Sequence, residues 1–90
     1  MYYVYLLESH DDRSWYTGYS SNLQRRYQEH QSGQGCKTTG KHSGWTLIYY
    51  EAYILKQDAI GREEFLKSGS GKRFLKKQLR HYLSKRIISK

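Results

Sequence analysis

Apolar and aromatic residues gather in three short runs, YYVYLL at residues 2–7, WYTGY at 15–19 and WTLIYYEAY at 45–53, none with the three-and-four spacing of a helix. Their β-branched and aromatic content predicts three strands. The polar SHDDRS between the first two reads as a hairpin connection, so that pair is expected to be antiparallel. The pattern changes after Asn22. Leu23, Arg26, Tyr27 and His30 fall at i, i+3, i+4 and i+7, which predicts a helix through His30 with Asn22 as its N-cap. Residues 31–44, QSGQGCKTTGKHSG, scatter four glycines among serines and threonines and read as a loop. Asp58 is expected to cap a helix over residues 59–67 that ends at Gly69. A last helix over 72–83 sets Leu75, Leu79 and Tyr82 on one stripe, with Lys72, Lys76, Lys77 and Arg80 around the rest. The order β-β-α-β-α-α predicts an α+β fold, helices packed on a small antiparallel sheet. SGSGK, residues 68–72, is no phosphate loop, because Leu66 and Arg73 stand where that motif needs Gly and Ser or Thr. It reads as one helix stopping and another starting.

Ninety residues are expected to form a single domain over 1–90, since a chain this short cannot support two cores. Hydrophobic residues make up only 37% of it, yet ten tyrosines raise the aromatic share to 16%, so much of the core must be ring surface whose polar tips need partners. The net charge of +8 suits a polyanionic partner, of which nucleic acid is the commonest, and a basic ribosomal or membrane-surface role fits it equally well. Eleven of the 16 Lys and Arg lie from Lys56 onward against three acids, which places the positive surface in the C-terminal part. The lone cysteine, Cys36, excludes an internal disulfide and a cysteine-based zinc cage. The N-terminal apolar run is too short for a signal core or a membrane span, so a cytoplasmic location without membrane attachment is expected.

Several polar residues sit where a plain core would not put them. Arg26 shares the helical stripe of Leu23 and Tyr27, and a guanidinium there needs an anion, whether a local carboxylate or a ligand. Glu63 falls in the apolar sector of its helix near Ala59, Ile60 and Leu66, a costly place for a carboxylate unless a cation or metal pairs with it. His30 stands one turn beyond Arg26. Tyr5 and Tyr16 lie on the first two strands, so two phenols, a guanidinium, an imidazole and a carboxylate come from four separate elements.

At these residues the chain resembles a GIY-YIG nuclease domain of the small, single-domain kind. Tyr3-Val4-Tyr5 resembles the first half-motif and Tyr16-Thr17-Gly18 the second. Asn22-Leu23 with Arg26, Glu29 and His30 resembles the helix that supplies the catalytic arginine. The LIYYE strand and the run through Ala59, Arg62-Glu63 and Leu66-Lys67 resemble the segment that carries the acidic metal ligand. Tyr3 stands where the family's name has glycine, Thr17 replaces an aliphatic residue, and an asparagine found after the acidic helix in several larger members has no counterpart.

The resemblance implies a three-stranded antiparallel sheet flanked by helices and a DNA endonuclease that hydrolyses phosphodiester bonds with one Mg²⁺ or Mn²⁺. Tyr5 and Tyr16 would line the site, Tyr5 taking the proton from water with help from His30, or the two tyrosines exchanging roles. Arg26 would bind the scissile phosphate and Glu63 the metal. A phenol of pKa about 10 would have to be depressed by its neighbours for this chemistry. Arg25, Lys72, Arg73, Lys76, Lys77 and Arg80, with Lys85 and Arg86, would neutralise flanking phosphates of duplex or branched DNA, and RNA is compatible with the same contacts. DNA repair is one setting among several. A nucleic-acid-binding module that keeps the fold without cutting is the alternative.

Overall fold

The structure, a computed structural model, describes residues 1–31 and 44–88, with side chains as far as Lys85; Cys36, most of the expected loop and the Arg86 side chain lie outside this range. Strands β1 (Tyr2–Ser9), β2 (Trp15–Ser20) and β3 (Trp45–Tyr53) form one antiparallel sheet in the order β2-β1-β3. The chain hydrogen-bonds Ser9 to Ser14 to close the β1–β2 hairpin, in which Arg13 takes a left-handed φ of 64°. Helices α1 (Leu23–Gln31), α2 (Lys56–Lys67), α3 (Gly69–Gln78) and α4 (Arg80–Ile88) flank it. The predicted three-stranded antiparallel sheet with flanking helices is therefore present.

β1 is the central strand, and its alternation divides the core in two. Val4 and Leu6 point to one face and meet Ala59 and Leu66 of α2 and Leu75 of α3; Tyr5 and Leu7 point to the other and meet Trp45 and, from α1, Leu23 and Tyr27. β1 pairs with β3 through a shift between Leu6 and Leu7, which leaves Ile48 as an extra residue. Ile48 and Tyr49 consequently both face α2 and α3, and Tyr50 returns to the side of Tyr5.

Two helix boundaries differ from expectation. α2 starts at Lys56 behind an extended Leu55 that offers no side-chain cap; the Ala59 N–H bonds to the Leu55 carbonyl, so Asp58 lies inside the first turn, where its charge favours the helix dipole. The last helix begins early, at Gly69, with the Ser68 hydroxyl accepting from the Gly71 N–H, and breaks at Leu79. The break lets α4 re-aim, and the Tyr82 hydroxyl donates to the buried Glu8 carboxylate at 2.6 Å. Glu8 also accepts from the Trp15 indole at 3.0 Å, which binds the far end of β1 to both β2 and α4.

Candidate active site

The sheet register sets Tyr5 opposite Gly18 of β2. A Cβ at Gly18 would stand 2.5 Å from Tyr5 Cζ and 3.0 Å from Tyr16 Cε1, so only glycine lets the Tyr5 ring lie across β2. Its hydroxyl meets Nε2 of His30 at 2.9 Å, and both rings are almost fully buried. Tyr16 completes a triangle, its ring centroid 6.4 Å from Tyr5 and 5.0 Å from His30.

Helix α1 places His30 and Arg26. Asn22 caps it, accepting from the Arg25 N–H at 3.1 Å as the sequence predicts. At its other end the Tyr27 hydroxyl donates to the Trp45 carbonyl at 3.1 Å, and the Trp45 N–H donates to the Gln31 side chain at 2.9 Å. The C-terminal end of the helix is thereby fixed against β3, and with it the His30 ring.

Arg26 comes within hydrogen-bonding reach of the Tyr5 hydroxyl and pairs with Glu29 at 3.0 Å. This pair is about one third exposed, so an incoming anion can compete for the guanidinium. Across α2, Arg62 binds Glu51 of β3 through two nitrogens at 2.9 and 3.1 Å and lies over the Phe65 and Phe74 rings. Glu63 stands about 100° further round the helix from Arg62. Its charge is felt at the Tyr5 hydroxyl, and its carboxylate is 3.2 Å from the exposed Lys67 ammonium.

The electrostatics of the Tyr5 hydroxyl run against the sequence expectation. Burial pushes its pKa up to about 12; Arg26 pulls it down, but the charges of Tyr16 and Glu63 add to the rise. The Tyr5 phenol is raised, not depressed, in this resting arrangement. Burial and then the Arg26 charge lower the pKa of His30, with Glu29 opposing, so the imidazole is neutral near pH 7. A neutral ring with an unprotonated Nε2 accepts from the Tyr5 O–H.

No group of three His, Cys, Asp or Glu among the described residues could hold a metal ion by itself. Glu63 offers a partly buried carboxylate, a hard oxygen donor whose described ion pair is with the surface Lys67. Such a donor suits Mg²⁺ or Mn²⁺, which keep several waters and take one or two carboxylates together with a substrate phosphate.

Tyr5, Tyr16, Arg26 and His30 thus gather around one hydroxyl, while Glu63 is linked to it only through its charge. The proposed phosphate contacts do not gather there: Arg25 is exposed beyond Glu29, while Lys72, Arg73, Lys76, Lys77 and Arg80 are exposed on α3 and α4, and no described contact joins them to the cluster. Gly18 and Glu29 entered the sequence reading only as motif letters. The physical role of Gly18 depends on register, and that of Glu29 on the i,i+3 reach to Arg26.

The family described as the GIY-YIG catalytic domain matches residues 1–78. The chain belongs to the GIY-YIG family. This is a nuclease family whose members act on nucleic acid and in general use divalent metals. Among its relatives, a UPF0213 protein of Pediococcus acidilactici is 42% identical over 77 residues, covering 83% of this chain and 78% of its own. A UPF0213 protein of Haloquadratum walsbyi is 37% identical over 67 residues, 74% of each chain. The solution NMR structure of a UPF0213 protein from Bacillus halodurans is similar at a TM-score of 0.51 and 38% identity, covering 83% of this chain and 82% of that one. No described helix is long and apolar enough to cross a membrane.

Proposed function

We propose that this GIY-YIG protein is an endonuclease that hydrolyses DNA phosphodiester bonds with one divalent cation held by Glu63. The observation that carries the reading is the Tyr5 hydroxyl: it touches a neutral His30 at 2.9 Å and feels the charges of Arg26 and Glu63 together.

Arg26 grips the scissile phosphate through two guanidinium nitrogens, a planar fork that lysine cannot reproduce, as Glu29 gives way. Tyr5 works as a neutral phenol. Its oxygen accepts a proton from the attacking water while its own proton passes to Nε2 of His30, so the water oxygen bonds to phosphorus as the bond from phosphorus to the leaving oxygen breaks; tyrosine stays a phenol, histidine becomes imidazolium, and the leaving oxygen takes a proton from solvent. Tyr16 orients the water or shares this step. When bound at Glu63, Mg²⁺ or Mn²⁺ would supply positive charge beside the leaving oxygen. The exposed Arg25, Lys72, Arg73, Lys76, Lys77 and Arg80 hold flanking phosphates and give affinity without sequence choice.

The test is a nicking assay on duplex, branched and single-stranded DNA with Mg²⁺ or Mn²⁺, alongside binding by anisotropy. The wild-type protein should nick at least one substrate, and Glu63→Ala should abolish nicking with affinity retained. Tight binding with no cleavage of any substrate under either metal would sink the hydrolytic reading in favour of a binding module.

A further inference from the structure

A cavity of about 490 Å³ opens between the start of α1 and the strands β1 and β3, within the range of small-ligand sites. Tyr3 and Tyr50 form one wall, edge to face with centroids 6.1 Å apart, and Leu47 and Tyr27 add apolar surface. Tyr50 is 54% exposed, an unusual state for a ring in a strand with other tyrosines packed around it. Tyr50 is also the direct cross-strand partner of Tyr5, so the wall begins one strand spacing, about 4.8 Å, from the strand that carries the reactive phenol. At the rim stand Asn22, whose carboxamide nitrogen can donate while its oxygen caps α1, and Gln24, whose side-chain amide can both donate and accept.

We infer that this cavity seats one unstacked nucleobase of the nucleic acid whose phosphate Arg26 holds, an inference that rests on the nuclease reading above. A base is flat, stacks on tyrosine, carries donors and acceptors at its edge, and arrives attached to the polyanion that a chain of charge +8 attracts. The departure at Tyr3 from the glycine in the family's name gains a purpose, because its ring builds the wall. The base comes either from a free strand or branch, or by extrusion from a duplex.

The experiment uses oligonucleotides with 2-aminopurine at successive positions, as a single strand, a branched duplex and a blunt duplex, bound at low salt in EDTA. Stacking on the tyrosines should quench the fluorophore at one position, and Tyr50→Ala should remove the quench and weaken binding of that substrate about five- to tenfold, the lower part of the range for losing one stacked base. Tyr50→Phe should keep both. Quenching in the single strand and branch assigns a free base; quenching in the blunt duplex assigns an extruded one. If wild type binds and nicks but Tyr50→Ala binds and quenches as wild type does, the base seat is refuted and the nuclease reading stands. If wild type binds none of the three, both fall.

Discussion

Gly18→Ala separates the placement of the reactive phenol from the stability of the fold. The added methyl would lie 2.5 Å from Tyr5 Cζ, whereas ordinary carbon contacts begin near 3.5 Å, so the ring end must retreat by about 1 Å. The obstacle is the far end of a side chain, which can swing, so the stability loss should be modest, about 1 kcal/mol, at the low end for overpacking. That corresponds to a Tm drop of about 4–8 °C for a domain of this size. The hydroxyl, however, leaves its 2.9 Å contact with His30, and about 1 Å of misplacement costs about 100-fold in rate. Gly71→Ala is the control. Its methyl would stand 2.5 Å from Leu66 Cα and 2.6 Å from the Phe65 carbonyl carbon, backbone atoms at the end of α2 that cannot swing aside. It should cost about 3 kcal/mol or more while sparing the nicking rate per folded molecule. Thermal denaturation and single-turnover nicking, read on both variants below their transitions, give the comparison. Gly18→Ala nicking at the wild-type rate would refute the claim that the Tyr5 position matters.

With His30 as final proton acceptor, the nicking rate should fall on acidification with a midpoint below the ordinary histidine value of 6.5, because its folded pKa is lowered; a pH–rate profile in which His30→Gln keeps the same acid limb would contradict this. The stability sign is the same: a buried neutral ring contributes fully above pH 6.5, and that contribution is lost as pH falls through the folded value, measurable as a urea midpoint dropping from pH 7 to pH 5. Arg26→Lys should lower single-turnover nicking about 100-fold, the scale of losing one oriented donor, with little change in DNA affinity; activity within a factor of about three of wild type would show that a point charge suffices. Tyr82→Phe removes the bond from α4 to Glu8 and should destabilise by about 1–2 kcal/mol in urea titration without touching the rate of nicking by the folded protein.

Local signals carried most of the fold. Strand content placed β1, β2 and β3, and the Asn22 cap with the Leu23, Arg26, Tyr27, His30 stripe placed α1, because each depends on neighbours within a few residues. The start of α2 was hidden because Leu55 carries no capping chemistry, while Asp58 looked like a cap from inside the first turn. The break at Leu79 answers to Glu8, 74 residues away from its partner Tyr82, which no helical wheel contains. At the site, residue types were legible but their fields were not. A sequence shows that Tyr5, Arg26 and Glu63 exist; it does not show that burial outweighs Arg26 at the phenol. Tyr50 was invisible as a site residue for a related reason, since the extra residue at Ile48 decides which strand positions face Tyr5.

The direction of the Tyr5 shift chooses between two ways of using a tyrosine. At a pKa of about 12, one molecule in about 10⁵ carries a phenolate at pH 7, so a mechanism that starts from that ion begins about 7 kcal/mol uphill. Phosphate binding makes that route worse: Arg26 is the neighbour that lowers the Tyr5 pKa, and an anion in its fork cancels the help. For His30 the same event acts the other way. Arg26 is one of the two causes that lower the imidazole pKa, so neutralising its charge lifts His30 toward its ordinary value and makes Nε2 a stronger proton acceptor when substrate arrives. In the proposed reaction, then, the phosphate that Arg26 grips also readies the base two atoms beyond the water, and the phenol between them serves best by remaining uncharged.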